Sequence, residues 1–390
     1  MKTYFSEEQN NFIKFKFSTL SDKKDVVELL NIVNKMMFGE KSIDFDLKLL
    51  MHFANPELST NRFKTFQIKK KSGSYRTLNS PIFYFKAILR CFSKILEVLY
   101  LPNDVSMGFT VKKSIVDNAK IHMGANFVYN IDLEDFFHSF DRNKVKLALM
   151  SNPFNLYGYK EKLAFFLACL FTHPINVYDD IKLVLPQGSP VSPILTNILC
   201  QKLDRRLNGL AKRFKSKYSR YADDITFSSN ENVFINYNFQ KELKRIIEED
   251  QQLIINNKKT RLQKKGFKQE VTGLTINEKV NVSRKYIKQL RMWIYFIEKY
   301  GLDKAENIFR RDYIKERGYI KNINNPMINV LNGKLTFLKM VKGDEDETYL
   351  KLCARLNKII GRKDPMDILI ETWSKYGIQK AMDFYYSIEQ

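Results

Sequence analysis

The chain has 390 residues, 44% of them hydrophobic, enough for a large packed core divided into two or three subdomains rather than one compact unit. Its 65 Lys and Arg outnumber 43 Asp and Glu, giving a formal net charge of +22 that points to a polyanionic partner, because clustered cations displace the counterions condensed on a phosphate backbone. Cys91, Cys169, Cys200 and Cys353 lie far apart without a CxxC pair, which excludes a disulfide frame and a thiolate zinc site; with no apolar secretory region and no window of membrane-spanning length, the expectation is a cytoplasmic protein without a membrane partner.

Residues 21–54 read as amphipathic helix, with Val26, Leu29, Leu30, Val33 and Met37 at helical spacing. Residues 63–80 read as a hairpin: Phe63, Phe66 and Ile68 lead to the turn signal Lys71-Ser72-Gly73-Ser74, and Tyr75-Arg76-Thr77-Leu78 returns. Pro81 opens a helix running to about residue 100. A strand follows, Phe127-Val128-Tyr129-Asn130-Ile131, ending on Asp132. A second β-type run over 177–185 leads into Pro186-Gln187-Gly188, and a helix is predicted over 190–214. Residues 217–221 and 225–228 then flank Ala222-Asp223-Asp224, a strand–turn–strand with two acids at its turn. A helix over 237–252 and a strand pair reaching residue 277 precede a mostly helical, basic region from residue 283.

Three acids at strand ends stand out. Adjacent strands would bring Asp132 together with Asp223 and Asp224, although 91 residues separate the first from the second. Carboxylates gathered without cations repel one another, and a bound divalent ion resolves the repulsion. All-oxygen ligands suit magnesium, with manganese as an alternative, and two such ions would activate a 3′-hydroxyl and stabilise departing pyrophosphate. Any one Asp alone would be an ordinary turn residue; the three together are not read that way. His52, His138 and His173 have no second ligand at metal spacing and read as ordinary packed histidines.

At these residues the chain resembles a known family. Tyr221-Ala222-Asp223-Asp224 is similar to the YxDD signature of reverse transcriptases. Leu185-Pro186-Gln187-Gly188-Ser189-Pro190 with Ser192-Pro193 resembles the LPQGxxxSP block, and residues 130–137 resemble the first palm motif. Tyr75-Arg76-Thr77-Leu78-Asn79-Ser80-Pro81 resembles the fingers motif, and Asn257-Lys258-Lys259-Thr260 the later palm block. Two elements narrow the branch to bacterial retron-type enzymes: Asn118-Ala119-Lys120-Ile121-His122 resembles NAxxH, and Val271-Thr272-Gly273 resembles VTG. Residues 333–349 are similar to the thumb of retron-type and defence-associated enzymes.

The resemblance implies an α+β right-hand polymerase: N-terminal helices and fingers over 1–125, a palm with an antiparallel sheet over 126–280 (part of the fingers inserted at about 140–180), and a helical thumb with a C-terminal extension over 281–390. It implies catalysis by Asp132, Asp223 and Asp224 on two magnesium ions, with the Leu133 carbonyl as a further metal ligand. Phe137 would pack beneath the incoming sugar and exclude a 2′-hydroxyl. Gln187 would contact the nucleotide, Gly188 would admit close backbone approach, and Arg76 would grip the triphosphate that Asp135 helps orient. Lys259 would meet the leaving pyrophosphate, or belong simply to a solvated basic face. Asn118 and His122, one helical turn apart, would bind the enzyme's own structured RNA, the plainer alternative being a histidine satisfied in a helix contact. Arg284, Lys285, Lys288 and Arg291 would track an RNA–DNA duplex.

The implied activity is RNA-directed DNA synthesis from deoxynucleoside triphosphates, with a structured non-coding RNA as template and primer, in bacterial anti-phage defence alongside an effector protein. Two alternatives stay open: a defence polymerase that is protein-primed or template-independent, and a non-catalytic RNA-binding protein on a polymerase scaffold. The residues after about 355, including Trp373, would complete the thumb or dock a partner.

Overall fold

A computed structural model describes residues 4–69, 73–177, 179–317 and 327–361, and in the tail residues 369, 372–375, 377–380 and 382. The predicted turn residues Lys71 and Ser72, and most of the tail, lie outside them. The chain forms two compact units: residues up to 272 with 276–278, and residues 273–275 with those from 279 onward.

The first unit begins with three helices, each started by a side chain that accepts from an otherwise orphaned backbone N–H. These are α1 (Glu7–Ser18, capped by Ser6), α2 (Lys23–Phe38, capped by Asp22) and α3 (Leu47–Ala54, capped by Asp46). Helix α2 buries the predicted stripe of Val26, Leu29, Leu30, Val33 and Met37. The single helix expected over 21–54 is therefore two: Gly39 at φ +60 ends α2, and Asp46 starts α3. Strands β1 (Phe63–Lys69) and β2 (Tyr75–Pro81) form the expected hairpin, registered from Phe63 opposite Pro81 to Lys69 opposite Tyr75. Pro81 closes β2 rather than opening the next helix, so α4 runs Phe83–Leu99. The short α5 (Ile115–Ile121) follows, capped by Ser114.

Strand β3 (Phe127–Glu134) runs two residues past Asp132. Helices α6 (Arg142–Met150) and α7 (Glu161–Phe171) come next. The run expected as one strand over 177–185 is the second half of a hairpin, β4 (His173–Val177) and β5 (Asp180–Val184). The helix predicted over 190–214 divides at Cys200 into α8 (Ser192–Leu199) and α9 (Gln201–Arg213). Then come β6 (Lys217–Tyr221), β7 (Asp224–Ser229), α10 (Tyr237–Lys244) with a π-helical continuation over Arg245–Asp250, β8 (Ile254–Ile255) and β9 (Arg261–Lys264).

The sheet is antiparallel and β3 is its spine. One side of β3 pairs with β7, which pairs with β6; the other side pairs with β9 and, at its C-terminal end, with β8. The register assigns faces, because side chains alternate along each strand. Ile131, Ile225, Phe227 and Tyr218 share the core face, where Phe227, Phe234, Phe239 and Phe214 form a cluster of edge-on and tilted rings with centroids 5.3–6.4 Å apart. Asp132 and Asp224 stand directly opposite each other on the other face.

Arg62 is 1% exposed and joins the ends of two helices. Its guanidinium donates to the carbonyls of Phe53, Cys169 (3.2 Å) and Thr172 (2.6 Å), at the C-terminal ends of α3 and α7. Those carbonyls are the unsatisfied, partly negative ends of two helices, which a buried cation complements. Burial lowers the Arg62 pKa to about 10.

The second unit is helical: α11 (Arg284–Tyr300), α12 (Leu302–Arg317), α13 (Met327–Lys342) and α14 (Glu347–Ile359). Its core holds Leu290, Trp293, Ile294, Ile297, Leu331, Leu335, Leu338, Leu352 and Leu356, and Trp293 meets Phe309 edge-on at 5.0 Å. Among the described residues no helix is long and apolar enough to cross a membrane.

Candidate active site

A cleft of about 1020 Å³ opens in the first unit, lined by residues from β2, the end of β3, the 186–189 turn, the β6–β7 turn and the segment before β9. Arg76, Asp132, Leu133, Asp135, Phe137, Gln187, Gly188, Asp223 and Lys259 all face it. The sequence expectation scattered these residues over nearly 190 positions, and the fold gathers them. Asp224 stands beside the cleft, cross-strand from Asp132.

The acids are placed by main-chain bonds. Ala222 adopts φ +57, a left-handed conformation that lets the chain reverse between β6 and β7 with Asp223 at the bend. The Leu133 N–H donates to the Asp223 carbonyl at 3.2 Å, and the Asn256 N–H to the Asp132 carbonyl at 2.8 Å. Lys259 Nζ donates to both Asp132 oxygens, at 2.8 and 3.1 Å, and Asn256 Nδ2 to Oδ2 at 3.1 Å. Burial first, and then the charge of Asp132, raises the Asp223 carboxyl above the usual range. Desolvation, then Asp223 and Asp132, raises Asp224 to about 6. Burial is the larger cause in both, and the crowding of like charges adds to it.

The donor set therefore suits hard divalent cations, and it includes a further oxygen: Asn256 Oδ1 is buried in the same corner without a hydrogen-bond partner among the described residues. Among those residues no three acidic, histidine or cysteine side chains already converge as ligands of one ion. Lys259 neutralises Asp132 in this arrangement, so cation binding calls for rotation of the Lys259 and aspartate side chains.

The other residues divide clearly. Phe137 is half-buried, with its ring centroid 5.6 Å from Phe136 and 6.3 Å from Phe109. Asp135 sits at φ +41, ψ +40 at the start of the short turn that carries Phe137, and its carbonyl accepts from the Ser139 N–H at 3.1 Å. Gly188 has φ +116, and a Cβ there would stand 2.8 Å from the Asn79 carbonyl oxygen. The Asn79 N–H in turn donates to the Gln187 carbonyl at 2.8 Å, so the neighbour that demands glycine is the β2 backbone. Arg284, Lys285, Lys288 and Arg291 are all exposed on α11, away from its buried Leu290, Trp293, Ile294 and Ile297.

Asn118 and His122 require a correction. Both are 0% exposed, so neither reaches RNA directly. His122 Nε2 lies 2.7 Å from Ser219 Oγ on β6, and Nδ1 lies 2.8 Å from Ser228 Oγ on β7. Ser219 gives its proton to Asn118 Oδ1 at 2.6 Å, so Nε2–H donates to Ser219 and Nδ1 accepts from Ser228, the pattern of a neutral imidazole. Burial, with a smaller push from Lys217, lowers the His122 pKa to about 3. The pair holds the β6–β7 hairpin together from the face that also carries Asp224.

Sequence reasoning missed Asn256, Gly108, Asp204 and Arg220. A Cβ on Gly108 would lie 2.5 Å from the Ala222 nitrogen, so this glycine backs the turn that bears the acids. The Arg220 side chain, adjoining the YxDD-like signature, is fully buried against Asp204. Only the Arg220–Tyr221 adjacency was visible in the sequence; the partners are tertiary.

Residues 68–276 match the family model described as "Reverse transcriptase (RNA-dependent DNA polymerase)". The Retron Ec86 reverse transcriptase of Escherichia coli is 33% identical over 263 residues, covering 64% of this chain and 73% of the relative. The Retron Mx65 reverse transcriptase of Myxococcus xanthus is 32% identical over 260 residues, covering 63% of this chain, which spans 59% of that relative's length. A solved telomerase from Candida albicans, in complex with a telomeric RNA fragment, aligns at 11% identity and a TM-score of 0.41 over 82% of this chain and 66% of its own.

Proposed function

The chain belongs to the reverse transcriptase family, in its retron-type branch and with the right-hand polymerase fold, and on that premise we propose that it copies part of a structured partner RNA into DNA. The observation that carries the reading is the cleft that gathers Arg76, Asp132, Phe137, Gln187, Asp223 and Lys259. Deoxynucleoside triphosphates are the substrates, the RNA supplies template and primer, and an RNA–DNA duplex is the product. The setting is cytoplasmic anti-phage defence with an effector protein.

Each residue has a task in this reaction. Asp132, Asp223 and Asp224 would hold two magnesium ions, which when bound lower the pKa of the primer hydroxyl and neutralise charge on the phosphates. The Leu133 carbonyl, at the edge of the same corner, would complete that ligand set. Arg76, exposed on β2, offers two parallel N–H donors to phosphate oxygens. Phe137, held by Phe136 and Phe109, would stand against the incoming sugar and exclude a 2′-hydroxyl. Gln187 orients the nucleotide from a turn fixed against Asn79, and Asp135 shapes the loop beneath it. Lys259, 2.8 Å from Asp132 in this arrangement, would turn its ammonium to donate to the departing pyrophosphate. The exposed cations of α11 follow a duplex backbone by charge and shape.

The test pairs chemistry with cargo. Sequencing nucleic acid that co-purifies with the chain should return one discrete RNA and a DNA copied from part of it. Asp223→Asn with Asp224→Asn should retain the RNA and lose the DNA, with primer extension falling by about 10³-fold or more. DNA without a discrete RNA would indicate a protein-primed or untemplated polymerase. Unaltered cellular function in the double variant would leave an RNA-binding protein.

A further inference from the structure

Strand β6 presents Tyr218 and Arg220 to one face and Ser219 to the other. On the Arg220 side lies a fully buried polar cluster: Arg220 is 0% exposed, Asp204 of α9 1%, Asn197 of α8 0% and Ser106 1%. Arg220 Nε and Nη2 donate to the two oxygens of Asp204, each at 2.7 Å, a bidentate pair. Nη2 also reaches Ser106 Oγ and Asn197 Oδ1, both at 3.2 Å. The remaining arm, Nη1, donates at 3.1 Å to the carbonyl of Ala222, the left-handed residue of the turn that carries Asp223 and Asp224.

Stability alone does not call for this arrangement. A buried ion pair returns little beyond its desolvation cost, and an apolar pair of similar volume holds a core as well or better. A guanidinium does something an apolar side chain cannot: it spans a carboxylate and a carbonyl at once, with its donors fixed in one plane. The Ala222 carbonyl is the atom through which that plane sets the peptide leading into Asp223. From behind, Gly108 presses its main chain on the same residue, and the Asn197 Nδ2 donates to the Gly108 carbonyl at 2.9 Å. The turn is thus gripped between a guanidinium and a glycine backbone, and Asn197 touches both.

We propose that the Asp204–Arg220 pair is the positioning device of the catalytic turn, setting where the carboxylates of Asp223 and Asp224 stand without touching substrate. Arg220 is a positioning residue and Asp204 aims it. The inference rests on the polymerase reading above, and it predicts a loss in metal binding and in the chemical step while nucleotide and primer-template binding are kept.

The decisive variant is the apolar pair Asp204→Leu with Arg220→Met in the full chain, which leaves no unpaired buried charge. Thermal unfolding, single-turnover extension of an oligo(dT) primer on poly(rA), and binding of Mn²⁺ followed by electron paramagnetic resonance are measured together. The melting temperature should fall by no more than about 4 °C, as a loss of about 2 kcal/mol allows, a cost that includes the buried Tyr218 hydroxyl, which gives up its 2.8 Å bond to Asp204. The KM for dTTP and the primer-template Kd should stay within about threefold, while the extension rate falls about 100-fold, the size expected for misplacement of about 1 Å. Mn²⁺ affinity should fall about tenfold, as expected when supports of metal-binding carboxylates are lost. A folded double variant with the parental extension rate and Mn²⁺ affinity overturns the proposal. If the double variant does not fold, Arg220→Lys decides, because its ammonium pairs with Asp204 but cannot also reach Ala222. A rate about tenfold down with KM unchanged supports the proposal, and a parental rate refutes it. If the parent chain itself extends no primer, the polymerase reading fails, and the Mn²⁺ affinities of parent and variant still judge the positioning role.

Discussion

Acidification should loosen the hairpin through His122. Its imidazole is fully buried between Ser219 and Ser228 and driven down to about 3, against about 6.5 in an unfolded chain. The folded state therefore resists a proton that the unfolded state accepts. The resulting stability is fully present above pH 6.5 and drains away as pH falls toward 3. Linkage gives a loss of about 2 kcal/mol between pH 7 and pH 5 from this residue alone. For a unit of roughly 270 residues that is a melting-temperature drop of about 3–4 °C. Burial pushes His173 down to about 4 and lowers His138 too, so the parental slope alone does not identify the group responsible. The assay is a series of thermal melts from pH 7.5 to 5 on the parent and on His122→Gln, which cannot titrate. The variant should start lower, because two hydroxyls lose their imidazole partner, and fall less steeply by about those 3–4 °C. Parallel curves for the two proteins would refute the reasoning.

Other substitutions address the cleft and the helical unit. Gly108→Ala forces a methyl to 2.5 Å from the Ala222 nitrogen, so primer extension should fall at least about 100-fold for a stability cost of about 1–3 kcal/mol; unaltered turnover would show that the turn has slack. Phe137→Ala should admit ribonucleotides, cutting the preference for dTTP over UTP by about tenfold or more in competing incorporations. Replacing Arg284, Lys288 and Arg291 together by Gln should lower the salt slope of duplex binding by about 2–3, measured by fluorescence anisotropy over a potassium chloride series; an unaltered slope would place the phosphate contacts elsewhere.

The three aspartates were legible because strand ends and tight turns have local signals, and the cross-strand register then needed only that β3 and β7 be neighbours. The β6–β7 hairpin was visible for the same reason. The second half of the β4–β5 hairpin was seen and the first half missed, since the latter, beginning His173-Pro174, carries no clear alternation. The break between α2 and α3 was overlooked although Gly39 marked it, because apolar residues continue on either side. Helical spacing rightly put Asn118 and His122 on one face, but a period of 3.6 cannot say whether that face meets solvent or a sheet. Gly188 read as admitting close backbone approach, and the backbone beside it proves to be that of Asn79, a partner no local pattern names. Asp204 and Arg220 form a pair only because α9 packs beside β6, a relation that no local pattern encodes.

The close approach of Gly108 to Ala222 limits how this catalytic loop can be borrowed. Residues 217–229 look like a self-contained cassette, short and continuous, that protein engineers would graft onto another scaffold or exchange between relatives. Its bend is shaped by atoms more than a hundred positions upstream, so a transplant lacking a matching side-chain-free segment would arrive with its acids misaligned. Chimeras should therefore exchange residues 105–108 and the hairpin as one block.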